Sequence, residues 1–212
     1  MQIALGTQRN KIYLCDATIG NLKTTKEIHT EDIPATLAYD GRCMCYATDV
    51  HYYMYDLKRD LQQPLFPINA EEMNPAITRV GKEEFLLTGM QSLGVFATGD
   101  GVSNRPPLVW GRETVVALTY SDPYILALGE NFVTVHNMQD QTLKQNMAFS
   151  SGSCIGHFDG QIFVTTNKQI YKLMPISMEE QRRDSAAGPV VATASKKGFA
   201  QRNMLEREDG DS

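Results

Sequence analysis

Short apolar runs separated by turn residues recur along most of the chain, and no run of helical three-and-four spacing occurs before residue 175. Five hairpins of one design can be read. The first runs from Ile3 to Cys15 and turns over Thr7–Lys11, and the second runs from Cys43 to Asp56 and turns at Thr48–Val50. In the third, Phe85–Leu87 climbs to a glycine-containing turn and Val95–Phe96 returns; in the fourth, Tyr124–Leu128 and Phe132–Val135 do the same. The fifth covers Gly160–Leu173 and turns at Thr166–Lys168. The matching positions Ile3, Cys43, Phe85, Tyr124 and Ile162 are 40, 42, 39 and 38 residues apart. Each gap holds one further extended run: Pro34–Tyr39, Ala76–Val80, Thr114–Thr119 and Gly152–His157.

A recurrence of about 40 residues with strands throughout is the period of four-stranded propeller blades. Alternating strand and helix units would need helical patterns between the strands, and a β-sandwich requires no such fixed spacing. The reading is therefore all-β: an incomplete β-propeller of four to five blades over residues 1–175. The first hairpin has no inner strand before it, and Asn21–Ile28 is read as its outer strand. An open ring leaves unpaired edges and uncovered faces, so either the C-terminal region closes a small ring or the chain is a piece of a larger propeller. Residues 176–212 are read as a short helical start followed by a mostly irregular or weakly helical tail. Gly188–Pro189 interrupts any helix there, and Ala200–Glu208 is long enough for two turns only. A rival reading has Val190, Val191 and Phe199 adding a strand or short helix that shields an open edge.

Composition narrows the chemistry. An apolar share of 42% fits a folded domain, and a charged share of 21% is too low for wholesale disorder. A net charge of -5 argues against a nucleic-acid partner, which needs clustered Lys and Arg. No apolar stretch reaches bilayer length, so direct transmembrane insertion is not expected. Four cysteines without a secretory leader suit a reducing cytoplasm. Cys43 and Cys45 share one strand face at a spacing short of a zinc CxxC and read as small buried residues; no metal is expected. Phosphate loops, zinc-protease motifs and nucleophile elbows are absent, so neither catalytic residues nor a cofactor are assigned. Glu83–Glu84 reads as a turn before a strand, and the four histidines are isolated. The aromatic stripe Tyr46, Tyr52, Tyr53 and Tyr55 has no interleaved basic patch and reads as packing between blades. One stretch is a candidate protein-binding loop: Gly99–Arg105 and the residues that follow, with Asn104, Arg105 and Trp110 as its named positions. Trp110 is also read as core.

Five segments carry a resemblance: NPAITRVG at 74–81, LGVF at 93–96, RPPLVW at 105–110, SDPYILAL at 121–128 and VTVHNM at 133–138. In order and spacing they resemble the citron-homology (CNH) domain, a propeller of regulatory kinases, Rho-type exchange factors and vesicle tethers. The exit IYKLMPISMEEQ at 170–181 is similar to the propeller end in the transforming growth factor beta receptor-associated and vacuolar-sorting subunits of the CORVET and HOPS tethers. In that family a long α-solenoid follows, whereas here the sequence departs at Arg182, which suggests a chain truncated at both ends. The resemblance brings no catalytic residues. It implies a non-catalytic adaptor or scaffold in endosomal tethering, fusion and protein transport, with tether-complex subunits, a Rab-type small GTPase or a receptor cytoplasmic segment as partner. The expected location is the cytoplasm, peripheral to endosomal or vacuolar membranes. The alternatives are a GTPase-binding regulatory module and, less favoured, an enzyme built on the propeller channel.

Overall fold

The computed structural model describes residues 1–176 and 198–203, apart from 8, 70, 72, 90, 91, 112, 113 and 167. It is built of antiparallel sheets that meander in chain order. Two compact units divide the chain, Met1–Val116 and Ala117–Ser212.

The first unit holds three sheets. Sheet 1 comprises β1 (Gln2–Gly6), β2 (Lys11–Thr18) and β3 (Asn21–His29). Sheet 2 comprises β4 (Thr36–Tyr39), β5 (Cys43–Ala47), β6 (His51–Asp56) and β7 (Leu61–Pro67). Sheet 3 contains β8 (Ile77–Gly81), β9 (Glu84–Gly89) and β10 (Leu93–Thr98), and its outer position is divided between β11 (Gly101–Val102) and β12 (Leu108–Val109), both paired with β10. The second unit holds two sheets. Sheet 4 is β13 (Val115–Ser121), β14 (Tyr124–Gly129), β15 (Phe132–Asn137) and β16 (Leu143–Ala148), its first strand starting just before the boundary. Sheet 5 is β17 (Gly152–Phe158), β18 (Gln161–Thr166), β19 (Ile170–Ile176) and β20 (Gly198–Asn203). Four-stranded meanders repeated in this way are the blades of a β-propeller.

The five hairpins of the sequence are β1–β2, β5–β6, β9–β10, β14–β15 and β18–β19, and the four runs between them are β4, β8, β13 and β17. Sheet 1 has three strands, and the position the other sheets fill with β4, β8, β13 or β17 carries no strand among the described residues. At the C-terminus one reading is corrected. The segment expected to start a two-turn helix at Ala200 is strand β20, whose Phe199 lies opposite Pro175. Ladder pairing to β19 overrides the weak helical preference of so short a segment. Phe199 thus joins a strand as the rival reading had it; Val190, Val191 and residues 204–212 lie outside the described residues.

Alternation along β5 and β6 explains how sheet 2 is held on both sides. Met44, Tyr46, Tyr53 and Tyr55 pack with Ile12, Leu14 and Ile28 of sheet 1. Cys43, Cys45, Ala47, Tyr52 and Met54 pack with Phe85, Leu87 and Ala97 of sheet 3. Tyr46 stacks on Tyr53 with ring centroids 5.1 Å apart. Successive side chains leave a strand on opposite faces, so five apolar residues in a row bury both faces at once.

Two outcomes follow for stability. In the second unit Leu126 is fully buried opposite Val135. Leu126→Asp strands a carboxylate in that core and costs more than about 4 kcal/mol, enough to unfold the unit; an unchanged thermal melting curve would contradict this packing. In the first unit a Cβ on Gly94 would come within 2.3 Å of the Trp110 ring. Gly94→Ala therefore lowers stability by about 1–3 kcal/mol in denaturant titration.

Candidate interaction surface

The seam between sheets 2 and 3 is polar at one end. Tyr52 and Thr88 share a hydroxyl–hydroxyl hydrogen bond of 2.8 Å. The Ala76 N–H donates to Thr88 Oγ1 at 2.9 Å and to Tyr52 Oη at 3.2 Å, while Thr88 Oγ1 donates to the Asn74 carbonyl at 2.8 Å. Asn74 and Ala76 belong to the segment that carried the family resemblance. Its backbone enters β8 saturated by two hydroxyls, which is why so apolar a seam tolerates it. Burial pushes the Tyr52 phenol well above its ordinary range.

A second link lies at the other end of these sheets. Asp40 accepts the backbone N–H groups of Arg42 at 2.9 Å and Cys43 at 2.8 Å, and its other oxygen accepts the N–H of Glu83 at 2.6 Å. Arg42 pairs with the Glu83 carboxylate. Glu83 occupies a turn at φ 56°, and the adjacent Glu84 pairs instead with Arg105. The two carboxylates are directed to different partners, as expected for a turn leading into a strand.

The candidate loop interrupts the outer edge of sheet 3. It leaves β11, where the Ser103 N–H donates to the Phe96 carbonyl at 2.8 Å, and returns at β12. Arg105 donates to Glu84 Oε1 at 3.2 Å and lies 4.2 Å from the centroid of the Phe96 ring. Such an ion pair backed by a cation–π contact anchors the loop by about 1 kcal/mol. Trp110 is buried, and its backbone N–H donates to the Ser92 carbonyl at 3.0 Å. Of the three named positions Asn104 is the exposed one, between exposed Val102 and Val109. The outward side chains are thus apolar and neutral, and the charged one is spent on holding the loop.

The thiols of sheet 2 are absorbed by packing. Cys43 and Cys45 sit in the core facing sheet 3, and burial pushes the Cys43 thiol up to about 11, far from a reactive thiolate. Among the described residues no three His, Cys, Asp or Glu side chains come together as a metal site. A groove of about 190 Å³ between sheets 2 and 3 is lined by Asp56, Arg59, Gln63 and Asp100 with Met54, Leu61 and Gly99. Its Asp56 carboxylate accepts the Lys58 and Arg59 N–H groups of its own turn, and Gln63 donates to the Gly99 carbonyl at 3.3 Å. Sequence reasoning missed this groove because β7 and the Gly99–Asp100 turn carry no apolar periodicity.

A sequence model of the CNH domain matches residues 4–182. This chain belongs to the CNH domain family. Similar proteins include the transforming growth factor-beta receptor-associated protein 1 homolog of Danio rerio, 37% identical over 93% of this chain and 23% of that protein. Transforming growth factor-beta receptor-associated protein 1 of Homo sapiens is 38% identical over 88% of this chain and 22% of its own length. The CNH chain thus spans less than a quarter of these relatives. Among solved structures, the AfRom2 CNH domain superposes with a TM-score of 0.53 at 18% identity, over 77% of this chain and 55% of that one. A functionally unknown protein from Desulfotomaculum acetoxidans superposes at 0.63 with 14% identity, over 81% of this chain and 61% of that one. These likenesses show the fold.

One buried group of the CNH chain makes stability depend on pH. His136 on β15 is almost fully enclosed, and burial lowers its pKa to about 4. The unfolded chain, with an ordinary value near 6.5, binds the proton more readily, so the stability from keeping this imidazole neutral is complete above about 6.5. It is lost as pH falls toward 4. The loss is on the order of 3 kcal/mol, and His136→Leu flattens that part of the pH profile of unfolding.

Proposed function

We propose that this CNH propeller is a non-catalytic adaptor of endosomal tethering and protein transport, working by protein contacts made from rigid blades. The observation that carries the reading is the 38% identity to transforming growth factor-beta receptor-associated protein 1 across 88% of the chain. Its physical basis is consistent with that role. The carboxylates, hydroxyls and thiols of the first unit described above are engaged in turns and seams, while the outer edge of sheet 3 presents Val102, Asn104 and Val109 outward. A neutral, partly apolar loop held by an ion pair suits recognition of a protein surface. The relative's name points to a receptor as one partner, and the tether resemblance of the sequence exit points to tether subunits and a Rab-type small GTPase. The place of action in this reading is the cytoplasmic side of endosomal membranes, reached through those partners.

The test is affinity purification from cells, with the full chain as bait and Asn104→Arg/Val109→Asp as its control. Endosomal tether subunits, a Rab-type GTPase or a receptor tail are expected with the parent chain and at least tenfold less with the double variant, at unchanged melting temperature. Recovery of kinase-signalling proteins without any endosomal component would overturn the reading.

A further inference from the structure

Pro106 and Pro107 are the only two prolines in the chain that follow one another. The peptide bonds before both are trans. Each pyrrolidine ring holds its own φ at about −65°, and a residue that precedes proline is driven out of the helical region into extended backbone. Arg105 and Pro106 both precede proline, so covalent geometry alone makes this segment a short piece of polyproline II helix. The ladder fixes both of its flanks, with β11 ending at Val102 and β12 beginning at Leu108.

A polyproline II helix has three residues per turn, so residues three apart share an edge. Here that edge is Arg105 and Leu108, and both are turned to the blade. Arg105 lies 4.2 Å from the centroid of the Phe96 ring and donates to Glu84, and Leu108 is 1% exposed beside Gly94. The other two edges are Pro106 and Pro107, and both are exposed. Arg105 is the single charged residue of 102–109, and Glu84 engages it. What faces solvent between the anchors is a pair of apolar rings without an N–H to leave unpaired when water is removed.

From this geometry we infer that Pro106–Pro107 is a built-in ligand for a polyproline-reading protein module, whose aromatic-lined, uncharged groove takes the two exposed rings. Recognition of this kind draws its affinity from a backbone already ordered before binding. Three features order it here. The rings fix φ, the ladder fixes both flanks, and the Arg105–Glu84 pair holds the edge behind the prolines, so little freedom is left to lose on docking. A partner that adds a strand fits this segment poorly, because proline offers no donor to a ladder. A groove that relies on an acidic pocket also fits poorly, since the one cation beside the prolines is engaged within the blade. The inference names a partner class for the protein-binding reading above and rests on that reading for its cellular role.

The experiment probes the full chain with an array of purified WW, SH3 and EVH1 domains, with Pro106→Ala/Pro107→Ala as the variant. At least one domain with an uncharged aromatic groove binds the parent chain, and it binds the variant at least tenfold more weakly at unchanged melting temperature. Should the variant lose stability, a free oligoproline peptide takes its place, since it fills the module's groove and displaces the parent chain without altering it. Three results would overturn the proposal: binding by none of the domains, binding that the stable variant retains, or a complex that oligoproline does not displace. Module binding without recovery of any endosomal partner from cells supports the proposal while telling against the function proposed above, so the two readings fail separately.

Discussion

A sheet that is apolar on both faces has to be covered on both faces, and sheet 2 shows how much follows from that constraint. Its central hairpin places three tyrosines toward sheet 1 and a fourth toward sheet 3. Each phenol also needs a partner, and three find one at the rim, Tyr53 on Glu31 at 2.9 Å, Tyr46 on Gln62 at 2.6 Å and Tyr55 on Asp60, while Tyr52 finds Thr88 in the interior. The apolar ring bodies make the seam and the hydroxyls fix its lateral register, most firmly at the buried Tyr52–Thr88 pair, where a hydroxyl displaced from its partner loses more than the bond was worth in water.

The strands that were legible in the sequence are those whose burial is dictated by this stacking. Second and third strands, such as Cys43–Ala47 and, but for Thr134, Phe132–Val135, read as apolar runs because both their faces are covered. Apart from β3, read as Asn21–Ile28, the outer strands escaped notice for the same reason in reverse. Strand β7, with Gln62, Gln63, Pro64 and Pro67, and β16, with Lys144, Gln145 and Asn146, are half solvated and carry no alternation clear enough to separate them from loops. Strand β20 was hidden in a different way: nothing in GFAQRN is strongly extended, and only the ladder to β19 makes it so.

The loop between β11 and β12 was legible as a loop, and less so in which of its side chains face outward. Turn residues and prolines marked it, but one sequence does not say which conspicuous side chain faces outward. Arg105 and Trp110 drew attention as residue types that anchor interfaces, Trp110 being also read as core, and both have intramolecular work. The first reaches back 21 residues to Glu84, and the second fills the space that Gly94 leaves above β10. Those pairings exist only once β9 and β10 are side by side. The exposed positions that remain, Val102, Asn104 and Val109, are individually unremarkable in sequence.

The division of the outer strand of sheet 3 into two two-residue pieces has an evolutionary consequence. Because β11 and β12 each pair with β10 on their own, the segment between them closes a loop whose ends are already fixed by the ladder. Lengthening such a loop costs little, roughly 0.6 kcal/mol for each doubling. Insertions at Ser103–Pro107 are therefore tolerated where insertions in β9 or β10 would shift every side chain to the wrong face. Descendants of one blade can in this way acquire different recognition segments without renegotiating the core that holds them.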